Sequence, residues 1–206
     1  MIIINNVSKS YNNKSVFSNV SCTINDGGLL AITGVSGSGK TTLLNIMGCL
    51  EMPDEGTVSI DGQIILKPKE KTLFYRQKAG FLFQNYALLE DKTVFDNLKI
   101  ALTYRKVNSI ENAIYSATQQ LSLADELVQK KVYQLSGGEQ QKVALARITL
   151  KDPKYIFADE PTGNLDVDNR DIVFDHLVNL NKRGKTVIVV THDKELVAQI
   201  NEVVAL

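Results

Sequence analysis

The stretch Gly34-Val35-Ser36-Gly37-Ser38-Gly39-Lys40-Thr41 constrains this chain more than any other, because it fits G-x-x-x-x-G-K-[ST] at every fixed position. A loop of that kind belongs between a strand and a helix. Both flanks comply: Leu29-Leu30-Ala31-Ile32-Thr33 reads as a buried strand, and Thr42 to Leu50 reads as a helix. Glycines let the loop take backbone angles that side chains forbid, so successive N–H groups turn inward around phosphates. The helix that follows aims its positive dipole end at the same anion. Candidate phosphate ligands are therefore Gly34, Val35, Ser36, Gly37, Ser38, Gly39, Lys40, Thr41 and Thr42. Lys40 would reach the β- and γ-phosphates of a nucleoside triphosphate, and the Thr41 hydroxyl would take one position on Mg²⁺.

A second polar glycine turn, Leu135-Ser136-Gly137-Gly138-Glu139-Gln140-Gln141, leads into an expected helix from Gln140 to Leu150. Taken alone it fits a helix cap as well as an anion site. Beside the first loop it gives the chain two glycine-rich helix starts, about a hundred residues apart.

With both motifs in one sequence, the chain resembles the ATP-binding cassette (ABC) ATPases from about residue 2 to 206. The resemblance implies an α/β fold: a P-loop NTPase core with a parallel sheet, an antiparallel β subdomain and a helical subdomain. It places Tyr11 where the family stacks an aromatic on adenine. Gln84 follows Ala79-Gly80-Phe81-Leu82-Phe83 and matches the glutamine that links the metal site to a transmembrane partner. Asn164-Leu165-Asp166 matches the loop that signals between paired sites, and His192 matches the switch histidine. Ser136, Gly137, Gly138 and Glu139 would cover the ATP held by a second copy, so two chains would bury two ATP head-to-tail. The implied cofactors are ATP and Mg²⁺. The implied partners are a homodimer mate and a membrane permease, which would hold the chain on the inner face of the cell membrane. Asp159-Glu160-Pro161-Thr162-Gly163-Asn164-Leu165-Asp166 is similar to the version in lipoprotein-release and macrolide-export systems, and Gly80 to Leu89 resembles bacteriocin-export ATPases. Lys142 departs from the usual arginine. Tyr86, Leu88 and Leu89 fit either local core packing or a partner-docking surface.

The acids at the end of Tyr155-Ile156-Phe157-Ala158-Asp159-Glu160 can be read on their own. The apolar run suits a strand buried on both faces, with the acids at its carboxyl end, where open α/β sheets bind ligands. Successive strand residues point to opposite sides, so the two acids divide the work. Asp159 suits the metal, together with Thr41 and, as the resemblance implies, Gln84, while Glu160 is left to activate the attacking water. His192 ends the run Lys185 to Thr191 and would donate to γ-phosphate oxygens. His176, on an apolar-striped helix, reads as a partly buried structural histidine.

At 206 residues this is one domain's length, expected as a β-rich and nucleotide core over 1–86 and 152–206 and a helical subdomain over about 87–151. Val94, Leu98, Ala101 and Leu102 form one expected apolar face there; Ile110, Ala113, Ile114, Ala117 and Leu121 form another. Lys+Arg and Asp+Glu both number 23, which argues against a nucleic-acid grip. Two cysteines, Cys22 and Cys49, make no disulfide framework and fit a reduced, cytoplasmic setting. The apolar runs are strand-sized, no signal peptide is evident, and a minimal cassette is expected. A DNA-repair relative would need a long insertion between Lys40 and Asp159, for which that spacing is too short. A non-transport scaffold of the cell-division type stays open as the alternative.

Overall fold

The computed structural model of the chain describes residues 1–163, 165–200 and 202–206. Three antiparallel strands, β1 (Ile2–Tyr11), β2 (Lys14–Ile24) and β4 (Glu55–Ile60), form a sheet in the order β2-β1-β4. Five strands form a parallel sheet in the order β5-β6-β7-β3-β8. They are β3 (Leu29–Thr33), β5 (Ala79–Leu82), β6 (Tyr155–Asp159), β7 (Thr186–Val190) and β8 (Glu202–Ala205). Every residue of β6 and β7 is buried, which explains their unbroken apolar runs.

Strand alternation divides the molecule into two main cores. Ile156, Ala158, Val187 and Val189 face one side and pack with α3 (Val94–Ala101), α4 (Ile110–Gln119), α5 (Gly137–Lys151) and α6 (Val167–Lys182). Tyr155, Phe157, Ile188 and Val190 face the other, against α1 (Lys40–Met47) and the inner face of the antiparallel sheet. A smaller cluster joins Phe174 to Leu196, on the short helix α7 (Lys194–Val197), and to Ile200. Phe157 is fully buried and stacked on Phe81, with ring centroids 5.1 Å apart; truncating it to alanine would cost about 3–5 kcal/mol.

At the amino ends of β5 and β6, the turn after β4 contributes an ionic hub. The Asp61 carboxylate accepts from Lys78 (2.6 Å), Lys154 (2.7 Å) and the Tyr155 hydroxyl (2.5 Å). Burial alone would raise its pKa, but these bonds, with a fourth from the Met1 ammonium at 3.2 Å, hold the carboxyl well below the usual carboxylate range. The hub ties the antiparallel sheet to the parallel one.

Four local readings change. Helix α1 starts at Lys40 rather than Thr42 and stops at Met47, with Gly48 as its cap. The reason is Gly39, whose φ of +95° turns the loop straight into the helix, and where a Cβ would sit 2.4 Å from Val16. Helix α5 begins at Gly137, three residues before the expected Gln140, because Ser136 caps it. Helix α2 (Pro68–Gln77) has no counterpart in the sequence reading, since it buries only Phe74 and shows no apolar stripe. Ile110 opens α4 exposed, leaving Ala113, Ile114, Ala117 and Leu121 on the packed face. Tyr86 and Leu88 pack partly buried on the core, whereas Leu89 is exposed.

Candidate nucleotide site

At the carboxyl ends of the parallel strands lies a cavity of about 720 Å³, a size that suits a nucleotide. Its lining includes Tyr11, Gly34, Ser36, Gly37, Gly39, Lys40, Thr41, Thr42, Gln84, Glu160 and His192. Most of the candidate site thus converges on one space, together with Val16, Gly163 and Val190, to which the sequence assigned no role there. Val35 projects into solvent instead. The Ser38 hydroxyl is buried beneath the loop and has no partner among the described residues.

Loop geometry follows from its glycines. Gly34 has φ +146°, and a Cβ there would meet the Leu206 carbonyl at 2.4 Å. Gly37, at φ +80°, faces open space where phosphate oxygens could approach the backbone. The Lys40 ammonium donates to the Gly34 and Val35 carbonyls (3.1 and 2.9 Å), so it lies folded along its own loop.

Below the loop, the Thr41 hydroxyl lies 3.0 and 2.9 Å from the two Asp159 carboxylate oxygens. Burial raises the Asp159 pKa and Glu160 adds to the rise, against the opposing pull of Thr41 and Lys40. A hydroxyl and one carboxylate beside a phosphate cradle are the hard oxygen donors that magnesium takes together with phosphate oxygens, so the residues fit that ion.

Strand β6 ends at Asp159, and Glu160 leaves it in the left-handed region, φ +45°, with its N–H held by the Val190 carbonyl at 2.9 Å. That turn throws the Glu160 side chain toward β7's end, where its Oε2 lies 2.9 Å from His192 Nδ1. His192 is largely exposed at the cavity rim, and Glu160 is mostly sheltered. The pair sets a carboxylate and an imidazole in hydrogen-bond contact beside the cavity.

Ser136, Gly137, Gly138 and Glu139 do not line this cavity. They form a capping box at the start of α5: Ser136 Oγ accepts from the Glu139 amide (3.3 Å) and Glu139 Oε2 accepts from the Ser136 amide (2.7 Å). Ser136 and Gly137 are exposed. Asp166 caps α6 through the Asn169 amide, and Leu165 packs on the adjoining core; Asn164 lies outside the described residues. Lys142 is buried on α5, close enough for its charge to act on Asp166. His176 is more enclosed than its place on the flank of α6 implied, because Thr149 of α5 meets it at 2.8 Å.

Comparison with known proteins matches residues 17–163 to the ABC transporter family. The chain belongs to that family. It is an ABC ATPase, the ATP-binding subunit of a transporter. The cassette is 39% identical over 204 residues to the uncharacterized ABC transporter ATP-binding protein YvrO of Bacillus subtilis, covering 95% of this chain and 89% of that protein. It is also 39% identical to the lipoprotein-releasing system ATP-binding protein LolD of Bacteroides thetaiotaomicron, over 95% and 92% of the two chains. Against the macrolide export ATP-binding/permease protein MacB of Escherichia coli, 39% identity covers the whole cassette and 33% of MacB. In structure it is similar to the dimeric bacterial ABC transporter cassette MJ0796, with a TM-score of 0.92 and 37% identity over 100% and 94% of the chains. A second similar structure is MJ0796 in a post-hydrolysis state bound to ADP and Pi. Among the described residues no helix is long and apolar enough to cross a membrane.

Proposed function

We propose that two cassettes close head-to-tail around two ATP and thereby drive a separate permease that exports a peptide, lipoprotein or drug. The observation that carries this reading is the Glu160–His192 contact at the rim of a cavity floored by Lys40 and Thr41. Lys40 and the loop amides hold the phosphates, with charge-assisted bonds the strongest available there. Thr41, Asp159 and Gln84 hold magnesium, which neutralises phosphate charge when bound. Tyr11 presents its ring to the base. Glu160 accepts the proton of the attacking water, and His192, held beside the carboxylate before ATP binds, turns its N–H toward the γ-phosphate.

Ser136, Gly137 and Gly138 close the partner's site. The exposure of Ser136 and Gly137 in the single chain, away from its own cavity, supports this arrangement, as does the dimeric state of MJ0796. Loss of the γ-phosphate contact then lets the halves part. Residues about 87–151 move as a helical lobe that passes this motion to the permease, which keeps the cassette on the inner membrane face. Export is supported by the names of LolD and MacB.

Glu160→Gln tests the assignment. It keeps side-chain shape but removes the base, so turnover should fall by about 10²-fold or more while ATP still binds. The variant should accumulate as an ATP-bound dimer on size exclusion. Hydrolysis at the wild-type rate would remove Glu160 from the role.

A further inference from the structure

Tyr11 ends β1, just before Asn12 and Asn13 turn the chain with φ of +49° and +62°. Its ring is 47% exposed at the cavity mouth, so little packing fixes which way it faces. What holds it comes from the loop after α1. The phenol donates to Glu51 Oε1 at 2.5 Å, and the Lys9 ammonium stands 5.4 Å from the ring centroid. Lys9 in turn pairs with Glu51 (3.3 Å) and Asp54 (3.0 Å) and donates to the Met52 carbonyl (3.0 Å). The Ser10 amide donates to Asp54 Oδ2 at 2.8 Å. Residues 51–54 therefore grip the end of β1 from a segment some forty positions away, and within that segment only Glu51 reaches the aromatic hydroxyl.

A tyrosine on a strand end otherwise samples several rotamers, and ordering it on binding weakens affinity. We propose that Glu51 is a positioning residue for the nucleotide base: it fixes the Tyr11 ring as a preset stacking face and so sets base-dependent affinity without touching the phosphates. This rests on the reading that Tyr11 receives the base. The Glu51 bond, and after it burial, raises the phenol's pKa against a smaller opposing pull from Thr42, which agrees with a hydroxyl that keeps its proton and donates to Glu51.

The test compares ATP with inorganic tripolyphosphate, which carries the phosphates and no base, on the full chain. Glu51→Ala should raise KM for ATP about threefold to tenfold with kcat within about twofold. Its inhibition constant for tripolyphosphate should match wild type. Glu51→Gln retains a carbonyl acceptor for the phenol and should stay close to wild type. In a Tyr11→Phe background, which lacks the hydroxyl, Glu51→Ala should add nothing to KM. Equal weakening toward ATP and tripolyphosphate, or additive losses on Tyr11→Phe, would overturn the proposal and place Glu51 in the fold alone. If Tyr11→Ala raises KM for ATP and Glu51→Ala does not, positioning by Glu51 is wrong. If Tyr11→Ala leaves KM at the wild-type value, the base-stacking reading itself fails and takes the proposal with it.

Discussion

Acidification should loosen the contact between α5 and α6, and His176 is the residue that decides it. The imidazole is buried, and its Nε2 lies 2.8 Å from Thr149 Oγ1. That hydroxyl donates its proton to the Leu145 carbonyl (3.1 Å), so the ring's Nε2–H is the donor to Thr149. Burial, with a smaller push from Arg183, lowers the pKa from 6.5 to about 4. The folded state thus binds a proton less readily than the unfolded chain, and stability rises with pH between about 4 and 6.5. Integrating that gap at 1.36 kcal/mol per unit gives a loss of about 2 kcal/mol between pH 7 and pH 5, and about 3 kcal/mol by pH 4. His176→Gln keeps an N–H for Thr149 and cannot titrate. The chain has no tryptophan, so urea unfolding followed by circular dichroism at pH 7, 6 and 5 is the suitable assay. The variant should be less stable than wild type at pH 7 and should close that deficit by about 2 kcal/mol at pH 5. A stability difference that stays constant across the three pH values would refute the argument.

Two further predictions bear on the nucleotide. Lys40→Ala removes the fixed positive charge of the phosphate loop, so binding of labelled ATP should be lost; unchanged affinity would sink the assignment. Ser136→Arg places a bulky cation on the exposed start of α5, so monomer ATP affinity should hold while hydrolysis disappears. Mixing it with Lys40→Ala subunits should restore up to about half the activity per dimer, since one site then has a normal loop and a normal cap. A large loss of monomer affinity in Ser136→Arg would mean that the motif serves its own nucleotide.

What could be read in advance depended on how locally each feature is encoded. The phosphate loop was legible because its spacing is itself the geometry: Gly34 and Gly39 stand where positive φ and a close neighbour exclude a side chain. Strands β6 and β7 were legible because burial on both faces leaves an unbroken apolar run. Helix α2 was not, since Pro68 to Gln77 is mostly polar and packs only through the adjacent Phe74 and Tyr75, which make no helical period. The left-handed turn at Glu160, which aims the acid at His192, is set by β6 and β7 lying side by side and leaves no mark in the local sequence. Glu51 was invisible for the same reason: nothing near it announces Tyr11, and only the meeting of β1 with the loop after α1 pairs them.

The ionic hub at Asp61 lies at one end of β1 and the cavity at the other, because Ile2 pairs with Ile60 while Tyr11 ends the strand. The antiparallel sheet is therefore a span held at both ends, at its heel by Asp61 and near its tip by Val16 and Phe17, which lie against Gly39 of the phosphate loop. With about 3.3 Å per residue, the arm from Ile2 to Tyr11 is about 30 Å long, and a tilt of about 5° at the heel would carry Tyr11 through roughly 2–3 Å. Because Val16 and Phe17 already crowd Gly39, such a tilt would press on the phosphate loop, so the strand end that carries Tyr11 and the loop that carries Lys40 are coupled through β2.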